Sequence, residues 1–280
     1  MTERLSVVVI TRNVAGELPA CLASVAFADE IIVVDSGSTD DTVAVAARHG
    51  ACVLRQEWLG YGPQKQYGVQ QARNRWVLCV DADERVSERL RASIVATLAS
   101  PTKAAYAMAR CNRFMGRWLR HGEGYPDWSV RLFDRERARW SDDAVHERVL
   151  TNGPVGRLDG DLMHESETGI AAYLEKQNRY TTLQAESLLA RGKRVSLGRL
   201  VLSPLFRFIK FYFLRLGFLD GVPGLVHISI GCFNSFIKYA KLRELRRRVR
   251  TPSTSETAIP ASPASHRPTT AESRQTLRPH

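Results

Sequence analysis

Three apolar runs of the sequence each end in polar side chains that could hold a metal ion and the oxygens that the ion bridges. The polar segments are residues 11–13, 35–40 and 81–84. If the three runs are parallel strands of one sheet, their carboxyl ends lie on the rim where such sheets bind ligands. Asp81 and Asp83 could then both present carboxylate oxygens to a divalent cation, which prefers oxygen ligands.

The same two-residue spacing occurs at Asp159 and Asp161, so spacing alone does not identify a metal site. Position separates the two pairs. The pair at 81 and 83 follows an apolar run, whereas the pair at 159 and 161 encloses Gly160, and Asp and Gly both favour turns. We therefore expect a site at the first pair and a turn at the second.

The elements that must position these side chains alternate between strand and helix. Apolar runs without clean alternation predict strands buried on both faces at 5–10, 30–34, 51–54 and 76–80. Helices are predicted at 17–26, at 41–49 and at 64–72, the second capped by Ser38 or Thr39 and ended at Gly50. This order predicts an α/β fold with a mostly parallel central sheet flanked by helices.

The rest of the chain is less regular. A helix is predicted at 87–100, and aromatic and arginine residues are then mixed through 106–140, which suits the half of an enzyme that meets its acceptor. Another helix is predicted at 173–189. Residues 251–280 contain 5 Pro, 11 Ser/Thr and no aromatic residue, so they cannot bury enough apolar surface to fold and are predicted to be disordered.

The net charge of +11 lies almost wholly in one segment. Residues 191–250 contain 14 Lys/Arg against 2 Asp/Glu, whereas residues 1–190 contain 23 against 25. The basicity therefore belongs to a local surface that meets something anionic. A nucleic-acid-binding protein would explain this charge but not the three polar strand ends on one sheet rim. The 5 cysteines form no paired motif, and the apolar run at 5–10 is too short for a signal peptide, so we expect a cytoplasmic protein.

Three motifs resemble those of the family 2 glycosyltransferases, which have the GT-A fold. They are SVVVITRN (6–13), IIVVDSGSTDDT (31–42) and VLCVDADE (77–84), in matching order and spacing. Within that family the sequence is similar to the lipopolysaccharide-core β-1,4-glucosyltransferases at YPDWSVRLF (125–133), at the His146-Glu147 pair and at GFLDG (217–221). The resemblance implies a GT-A nucleotide-sugar-binding domain at 1–165, with a nucleotide-binding half (1–100) and an acceptor half (101–165). A helical cationic extension (166–250) and the tail (251–280) would follow.

The resemblance also implies roles for residues of the nucleotide-binding half. Thr11, Asn13 and Asp35 match positions that hold the base and ribose of the nucleotide. Lys65 could touch the diphosphate, but a solvated lysine on an amphipathic helix is an alternative. For Asp35 the alternative is a cap on the turn or helix before Thr39.

A divalent cation, Mg²⁺ or Mn²⁺, would stabilise the charge on the leaving diphosphate. In the resemblance Asp83 matches the metal-binding aspartate, and Asp81 matches its partner towards the ribose or the metal. His164 could be a further ligand for the metal or a phosphate, or a structural histidine.

One carboxylate must accept the proton of the acceptor hydroxyl. Because related sequences have an acidic residue with this role after the acceptor loop, Glu147 is the first candidate for the catalytic base and Asp127 is the second.

The segment 199–219 is apolar enough to suggest a membrane span, but four cations interrupt it. Arg199, Arg207, Lys210 and Arg215 fall within about 160° of a helix circumference, which is typical of a helix lying on an anionic membrane surface. A second apolar stretch at 225–237 is shorter than a span requires, and the polybasic run at 238–250 follows it. Peripheral attachment to the cytosolic face of the inner membrane is therefore predicted, the alternative being that both helices pack on the catalytic domain.

These observations predict an inverting, metal-dependent transferase that moves a hexose to a membrane glycolipid. The subgroup likeness favours UDP-glucose as donor and the lipopolysaccharide inner core as acceptor, while a polyprenyl phosphate or other cell-envelope acceptor stays open. From a different class, the alternative is a non-enzymatic protein that binds nucleic acid or membrane. A nucleotide-dependent dehydrogenase is disfavoured, because no G-x-G-x-x-G follows the first strand.

Overall fold

The computed structural model describes residues 2–143, 147–165 and 169–250. The predictions for His146 and for the tail at 251–280 lie outside these described residues. Within the described ranges, nine of the strands form one large mixed sheet with helices packed around it, and two more strands pair in a small sheet of their own.

The first half of that sheet is parallel, as predicted. It contains β1 (Leu5–Thr11), β2 (Glu30–Asp35), β3 (Cys52–Arg55) and β4 (Trp76–Asp81), in the spatial order β3-β2-β1-β4. The register pairs Thr11 with Asp35 and Ile10 with Asp81. The ends of three strands therefore lie side by side on one rim.

Helices cover both faces of the parallel half. They are α1 (Leu18–Ser24), α2 (Thr42–Arg48), α3 (Tyr61–Gln71) and, after the rim, α4 (Glu88–Ala99). Alternate residues of β1 enter two separate cores, with Val7 and Val9 packed in the same core as α1, α2 and α4 and Val8 in the core beside α3. This two-sided burial explains why the strands read as continuous apolar runs.

Two helix starts differ from the prediction. α3 begins at Tyr61 and places Pro63 in its first turn, where the missing N–H would have no partner in any case. The prediction that Ser38 or Thr39 caps α2 is wrong, because the Ser38 hydroxyl donates to Asp35 and it is the Asp40 carboxylate that accepts from the N–H of Thr42, at 3.0 Å.

The acceptor half continues the same sheet and is more regular than the sequence suggested. Its strands in that sheet are β6 (Ala105–Phe114), β7 (Arg117–Trp118), β8 (Asp127–Asp134) and β11 (Val155–His164), and β5 (Glu84–Val86) of the nucleotide-binding half joins them at the edge. β9 (Ala138–Trp140) and β10 (Val149–Thr151) pair with each other in a separate antiparallel sheet. The sheet order continues β4-β8-β6-β11-β5, with β8 antiparallel to both of its neighbours and β6 parallel to β11. The predicted fold class, α/β with helices flanking a central sheet, is confirmed.

The turn predicted at Asp159 and Asp161 is wrong, because both residues belong to β11. The register of β11 against β6 shifts between Arg157 and Asp161, so the strand bulges there. Gly160 has a φ of 93° in the bulge, and a Cβ at this position would lie 2.3 Å from the backbone nitrogen of Leu90. The Asp-Gly-Asp sequence therefore serves a bulge against α4.

The extension is helical, as predicted, but the helix expected over 199–219 is wrong at its end, because the helical path stops at Leu214 and Leu216 has a left-handed φ of 55°. The extension contains α5 (Ile170–Ala190), α6 (Leu197–Phe208), a π-helical stretch (Ile209–Leu214), a 3-10 turn (Gly217–Asp220) and α7 (Gly221–Arg250). Asn234 of α7 donates to Gln177 of α5 at 2.9 Å, and Ser203 of α6 lies 2.9 Å from Ser235 of α7. In the described part of the chain no single helix is long and apolar enough to cross a membrane, although the pair 197–214 and 217–249, bent by 74°, passes that test jointly.

Candidate active site

The first part of the site forms where β1 and β2 end together. Asp35 is buried, and its Oδ2 accepts from the backbone N–H groups of Gly37 and Ser38, both at 3.0 Å. Its Oδ1 accepts from the Thr11 hydroxyl at 3.2 Å and from the Ser38 hydroxyl. The structure brings Thr11 and Asp35 together, and Asp35 also closes the turn before Thr39, which was the alternative role for this residue.

Asn13 joins the loops that follow the two strands. Its backbone has a φ of 53°, a left-handed conformation that asparagine tolerates. Its N–H donates to the Ser38 hydroxyl at 2.9 Å, and its Oδ1 accepts from the N–H of Thr39 at 2.7 Å. The three residues predicted to hold the nucleotide are therefore neighbours.

Lys65 is a buried member of the site, so the alternative of a solvated lysine is wrong. Its Nζ lies 3.0 Å from Asp81 Oδ1 and 3.3 Å from Glu147 Oε1, and 4.8 Å from the centre of the Trp140 ring. Gly62, one helical turn earlier, allows this approach, because a Cβ there would meet the Ser141 carbonyl oxygen at 2.2 Å. The start of α3 thus lies directly against the segment that carries Glu147.

Arg131 holds the two carboxylates at the end of β4 from the other side. Its Nη2 donates to Asp81 at 2.8 Å and to Glu84 at 2.9 Å, and both Arg131 and Glu84 are buried. Burial raises the pKa of Asp81, but Arg131 and Lys65 outweigh it and hold that pKa well below its usual range. Burial also raises the pKa of Glu84, and there it outweighs the opposing effect of Arg131.

Asp83 and His164 face each other at the open edge of the rim. His164 Nε2 lies 3.1 Å from Asp83 Oδ2, and His164 Nδ1 lies 2.8 Å from the side-chain oxygen of Asn112. Nδ1 can donate to that oxygen, which leaves Nε2, on the Asp83 side, as the nitrogen that would bind a metal ion.

These residues fit a divalent cation that would take the rest of its ligands from a diphosphate and water. Asp83 and His164 offer one oxygen and one nitrogen ligand, whereas both oxygens of Asp81 already face cations. Among the described residues no group of three or more His, Cys, Asp or Glu side chains could hold a metal ion alone. Ions such as Mg²⁺ commonly take one or two protein ligands and complete the shell with phosphate oxygens and water.

The two candidate bases lie at opposite ends of one chain of charges. Glu147 contacts Lys65, whereas Asp127 lies 3.2 Å from Arg110 Nε. Arg110 Nη1 lies 3.6 Å from Glu84, which completes the connection through Arg131 and Asp81. Of the predicted site residues, the charge chain contains four, which are Lys65, Asp81, Asp127 and Glu147.

Sequence reasoning missed Arg110, Arg131 and Glu84. Arg131 does interrupt an apolar strand between Val130 and Leu132, and an arginine in a buried strand is rare unless it is paired. That is the one signal that could have indicated a buried partner for the Asp81 carboxylate.

Comparison with known proteins places this site in a family. Residues 6–156 match the family described as Glycosyl transferase family 2. An uncharacterized glycosyltransferase of Rickettsia conorii is 33% identical over 260 residues, covering 87% of this chain and 91% of that protein. The lipopolysaccharide core biosynthesis glycosyltransferase LpsC of Rhizobium meliloti is 29% identical over 246 residues, covering 85% of this chain and 91% of LpsC.

Among solved structures, S. aureus TarS in complex with UDP-GlcNAc matches 88% of this chain and 91% of its own, with 14% identity and a TM-score of 0.46. Mannosyl-3-phosphoglycerate synthase from Rubrobacter xylanophilus covers 70% of this chain and 77% of its own, with 19% identity and a TM-score of 0.46. The non-enzymatic alternatives are excluded by the family match, which spans the strand ends and the charge chain described above. The chain is a glycosyltransferase and belongs to family 2 of these enzymes.

Proposed function

We propose that this protein is an inverting, metal-dependent glycosyltransferase that transfers glucose from UDP-glucose to a glycolipid of the cell envelope, such as the lipopolysaccharide inner core. The observation that carries the proposal is the chain of charges from Glu147 to Asp127, which lies beside Asp83 and His164 on the nucleotide rim. The similarity to LpsC, whose name refers to lipopolysaccharide core biosynthesis, supports the acceptor class. A polyprenyl phosphate or another cell-envelope lipid is the second candidate acceptor.

The donor would bind along the rim. Its uracil and ribose would lie at Thr11, Asn13 and Asp35, which are adjacent where β1 and β2 end. Lys65, buried beneath the rim, would place positive charge near the diphosphate while keeping Asp81 in position. A buried cation of this kind is ordered before the substrate binds, so it contributes electrostatic stabilisation without reorganisation.

Asp83 and His164 would hold the divalent cation, Mg²⁺ or Mn²⁺. When bound, the cation neutralises the charge that develops on the diphosphate as it leaves. Asn112 keeps the His164 ring oriented through its Nδ1, so that Nε2 faces the Asp83 side of the rim. This orienting contact is the kind that accompanies metal-binding histidines.

The transfer itself needs one proton acceptor. The acceptor oxygen forms a bond to the anomeric carbon, the bond from that carbon to the diphosphate oxygen breaks, and the hydroxyl proton goes to a carboxylate. We assign this role first to Glu147, whose side chain is partly exposed beside Lys65, and second to Asp127, which Arg110 holds in place. Attack from the face opposite to the diphosphate inverts the anomeric centre.

The extension would attach the enzyme to the cytosolic face of the inner membrane. No residue of α6 is buried, and its apolar side chains point outward, with Leu197, Val201 and Phe206 between 63% and 64% exposed. Arg207, by contrast, turns inward and pairs with Glu123. An apolar face this large on a basic extension suits an anionic lipid surface.

A direct test measures UDP-glucose turnover by the purified full-length protein with delipidated and lipid-borne inner-core acceptors. We expect transfer that stops on addition of a chelator and returns with Mn²⁺ or Mg²⁺. UDP-N-acetylglucosamine and GDP-mannose serve as matched donors. Transfer that is unaffected by chelation, or that uses one of the other donors in preference, would overturn this function.

A further inference from the structure

A cavity of about 850 Å³ lies between the open edge of the rim and the helical extension. The sheet side of the cavity includes Arg110 and His164, and the helix side includes residues of α5 and His227 of α7. Because Arg110 contacts Asp127 and His164 contacts Asp83, the cavity begins beside the second candidate base and the proposed metal ligands. Its size is in the range of pockets that take small molecules.

One wall of the cavity is an uncharged aromatic surface. The rings of Phe114 and Tyr173 lie 5.3 Å apart, Phe114 and His227 also 5.3 Å, and the Tyr173 hydroxyl lies 3.2 Å from His227 Nε2. Burial lowers the pKa of His227 and raises the pKa of Tyr173 to about 12, so both rings are neutral at neutral pH. Aromatic faces next to hydroxyl and ring nitrogen groups suit a sugar ring, which has apolar faces and hydroxyl edges.

The other lining groups make the cavity cationic. Arg110, Arg113 and Lys176 contribute positive charge, and Glu165 is the carboxylate among the lining residues. Glu165 is paired with Arg113, and Arg110 is paired with Asp127. Across the residues that the structure describes, no carboxylate lies within ion-pair distance of Lys176, whose Nζ lies 5.9 Å from the Tyr180 ring centre. Lys176 is an exposed side chain, and a cation at a pocket wall with no carboxylate partner among the described residues favours an anionic group on the ligand.

We propose that this cavity is the acceptor subsite and that it selects a saccharide bearing an acidic group, a carboxylate or a phosphate, which Lys176 meets. The assignment rests on the proposed function, since the acceptor would enter from this cavity, whose edge residues Arg110 and His164 contact Asp127 and Asp83. The aromatic wall orients the sugar ring, and the acidic group fixes its direction. A neutral saccharide lacks the second contact and binds less tightly.

Binding to the full-length protein can be measured without turnover, by saturation-transfer NMR and competition, with three soluble probes. Glucose is the neutral probe, glucuronate carries a carboxylate, and glucose 6-phosphate carries a phosphate. We expect at least one acidic probe to bind about tenfold more tightly than glucose, the scale of one charge-assisted hydrogen bond. The stronger of the two acidic probes identifies the acidic group.

The matched variants are Lys176→Glu and Arg179→Glu, which reverse a charge on the same helix inside and outside the cavity. Lys176→Glu should remove the preference for the acidic probes, whereas Arg179→Glu should keep it. UDP-glucose binding is measured in parallel. A wild-type protein that does not bind UDP-glucose would count against the proposed function and not against the subsite. Equal binding of all three probes, binding of none, or an acidic preference that survives Lys176→Glu would overturn the subsite.

Discussion

The two halves of the site are built in different ways. On the side proposed to bind the nucleotide, Thr11, Asn13 and Asp35 are positioned by the ends of neighbouring parallel strands and by hydrogen bonds within two adjacent loops. On the side proposed to meet the acceptor, Arg110 and Arg131 are held by ion pairs to the carboxylates of the rim. Strand register is therefore sufficient for the first half, whereas the second half depends on charge pairing inside the fold.

The acceptor side is also fastened to the extension. Asp220 accepts from the backbone N–H groups of Arg120 and His121, at 3.0 and 2.8 Å, and the Arg117 guanidinium donates to the Leu219 carbonyl oxygen. The N–H of Gly122 donates to the Arg215 carbonyl oxygen at 2.8 Å. The loop before Asp127 is thus held by the extension, so a change in the extension should alter the acceptor side before the nucleotide side.

The largest effect on this comparison is expected from Arg131→Met. Removing the guanidinium leaves the buried Glu84 and the half-buried Asp81 without their shared partner, which should lower the free energy of unfolding by about 3–5 kcal/mol. Urea unfolding measures the loss. The control is Arg89→Met, since Arg89 is exposed and lies 3.5 Å from an exposed Asp159, and no measurable change is expected there. Equal stability of the two variants would contradict a buried charge chain.

Steady-state kinetics can distinguish which of the two candidate residues, Glu147 or Asp127, is the catalytic base. Glu147→Gln should lower kcat by about 10²-fold or more, the usual scale for a lost general base, with UDP-glucose binding unchanged. Asp127→Asn is the matched isosteric change at the other end of the charge chain and should act mainly on KM for the acceptor. If Asp127→Asn removes the chemistry and Glu147→Gln only weakens acceptor binding, the two roles must be exchanged.

A moderate effect is expected on membrane attachment. The side chains of Phe206 and Leu214 are 64% and 75% exposed. The substitutions Phe206→Glu and Leu214→Glu should reduce binding to vesicles that contain anionic lipid, measured by flotation at low salt. Val95→Glu, at an exposed apolar position of α4, is the control and should leave binding intact. High salt should weaken wild-type binding because the basic run of α7 contributes about 1 kcal/mol per cation near the surface. Wild-type protein that never floats would refute membrane attachment.

The smallest effect is expected on the stability of the protein at acidic pH. The pKa of Asp81 is held below the ordinary value of 3.8 by Arg131 and Lys65, against the opposing effect of burial. Its contribution to stability is therefore complete above that ordinary value and is lost as the pH falls through the lower folded-state pKa. The stability difference between wild type and Asp81→Asn should stay constant from neutral pH to about 5 and shrink below about 4. A stability difference between the two proteins that grows below about pH 4 would contradict a lowered pKa for Asp81.

The difference between strand register and charge pairing also decides which parts of the fold and the site could be predicted from the sequence. The strands at 5–11, 30–35 and 76–81 were predictable because burial on both faces leaves continuous apolar runs, and their ends identified Asp35, Asp81 and Asp83. The strands of the acceptor half were not, because arginines such as Arg110 interrupt them and find their partners only in the folded sheet. Lys65 resembled a surface residue because the carboxylates that surround it lie 16 and 82 positions away.

The measurement that tests the account most directly is glucose transfer from UDP-glucose by Asp83→Ala and Asp159→Ala proteins, each first shown to unfold like the wild type in urea. Both variants remove an aspartate from a pair with the same spacing, but Asp83 faces His164 on the rim, whereas Asp159 is an exposed residue of the β11 bulge. Asp83→Ala is expected to lose transfer, and Asp159→Ala is expected to keep it. Near-normal transfer by a folded Asp83→Ala protein, or an equal loss in both variants, would contradict the assignment of the metal and diphosphate site to this rim.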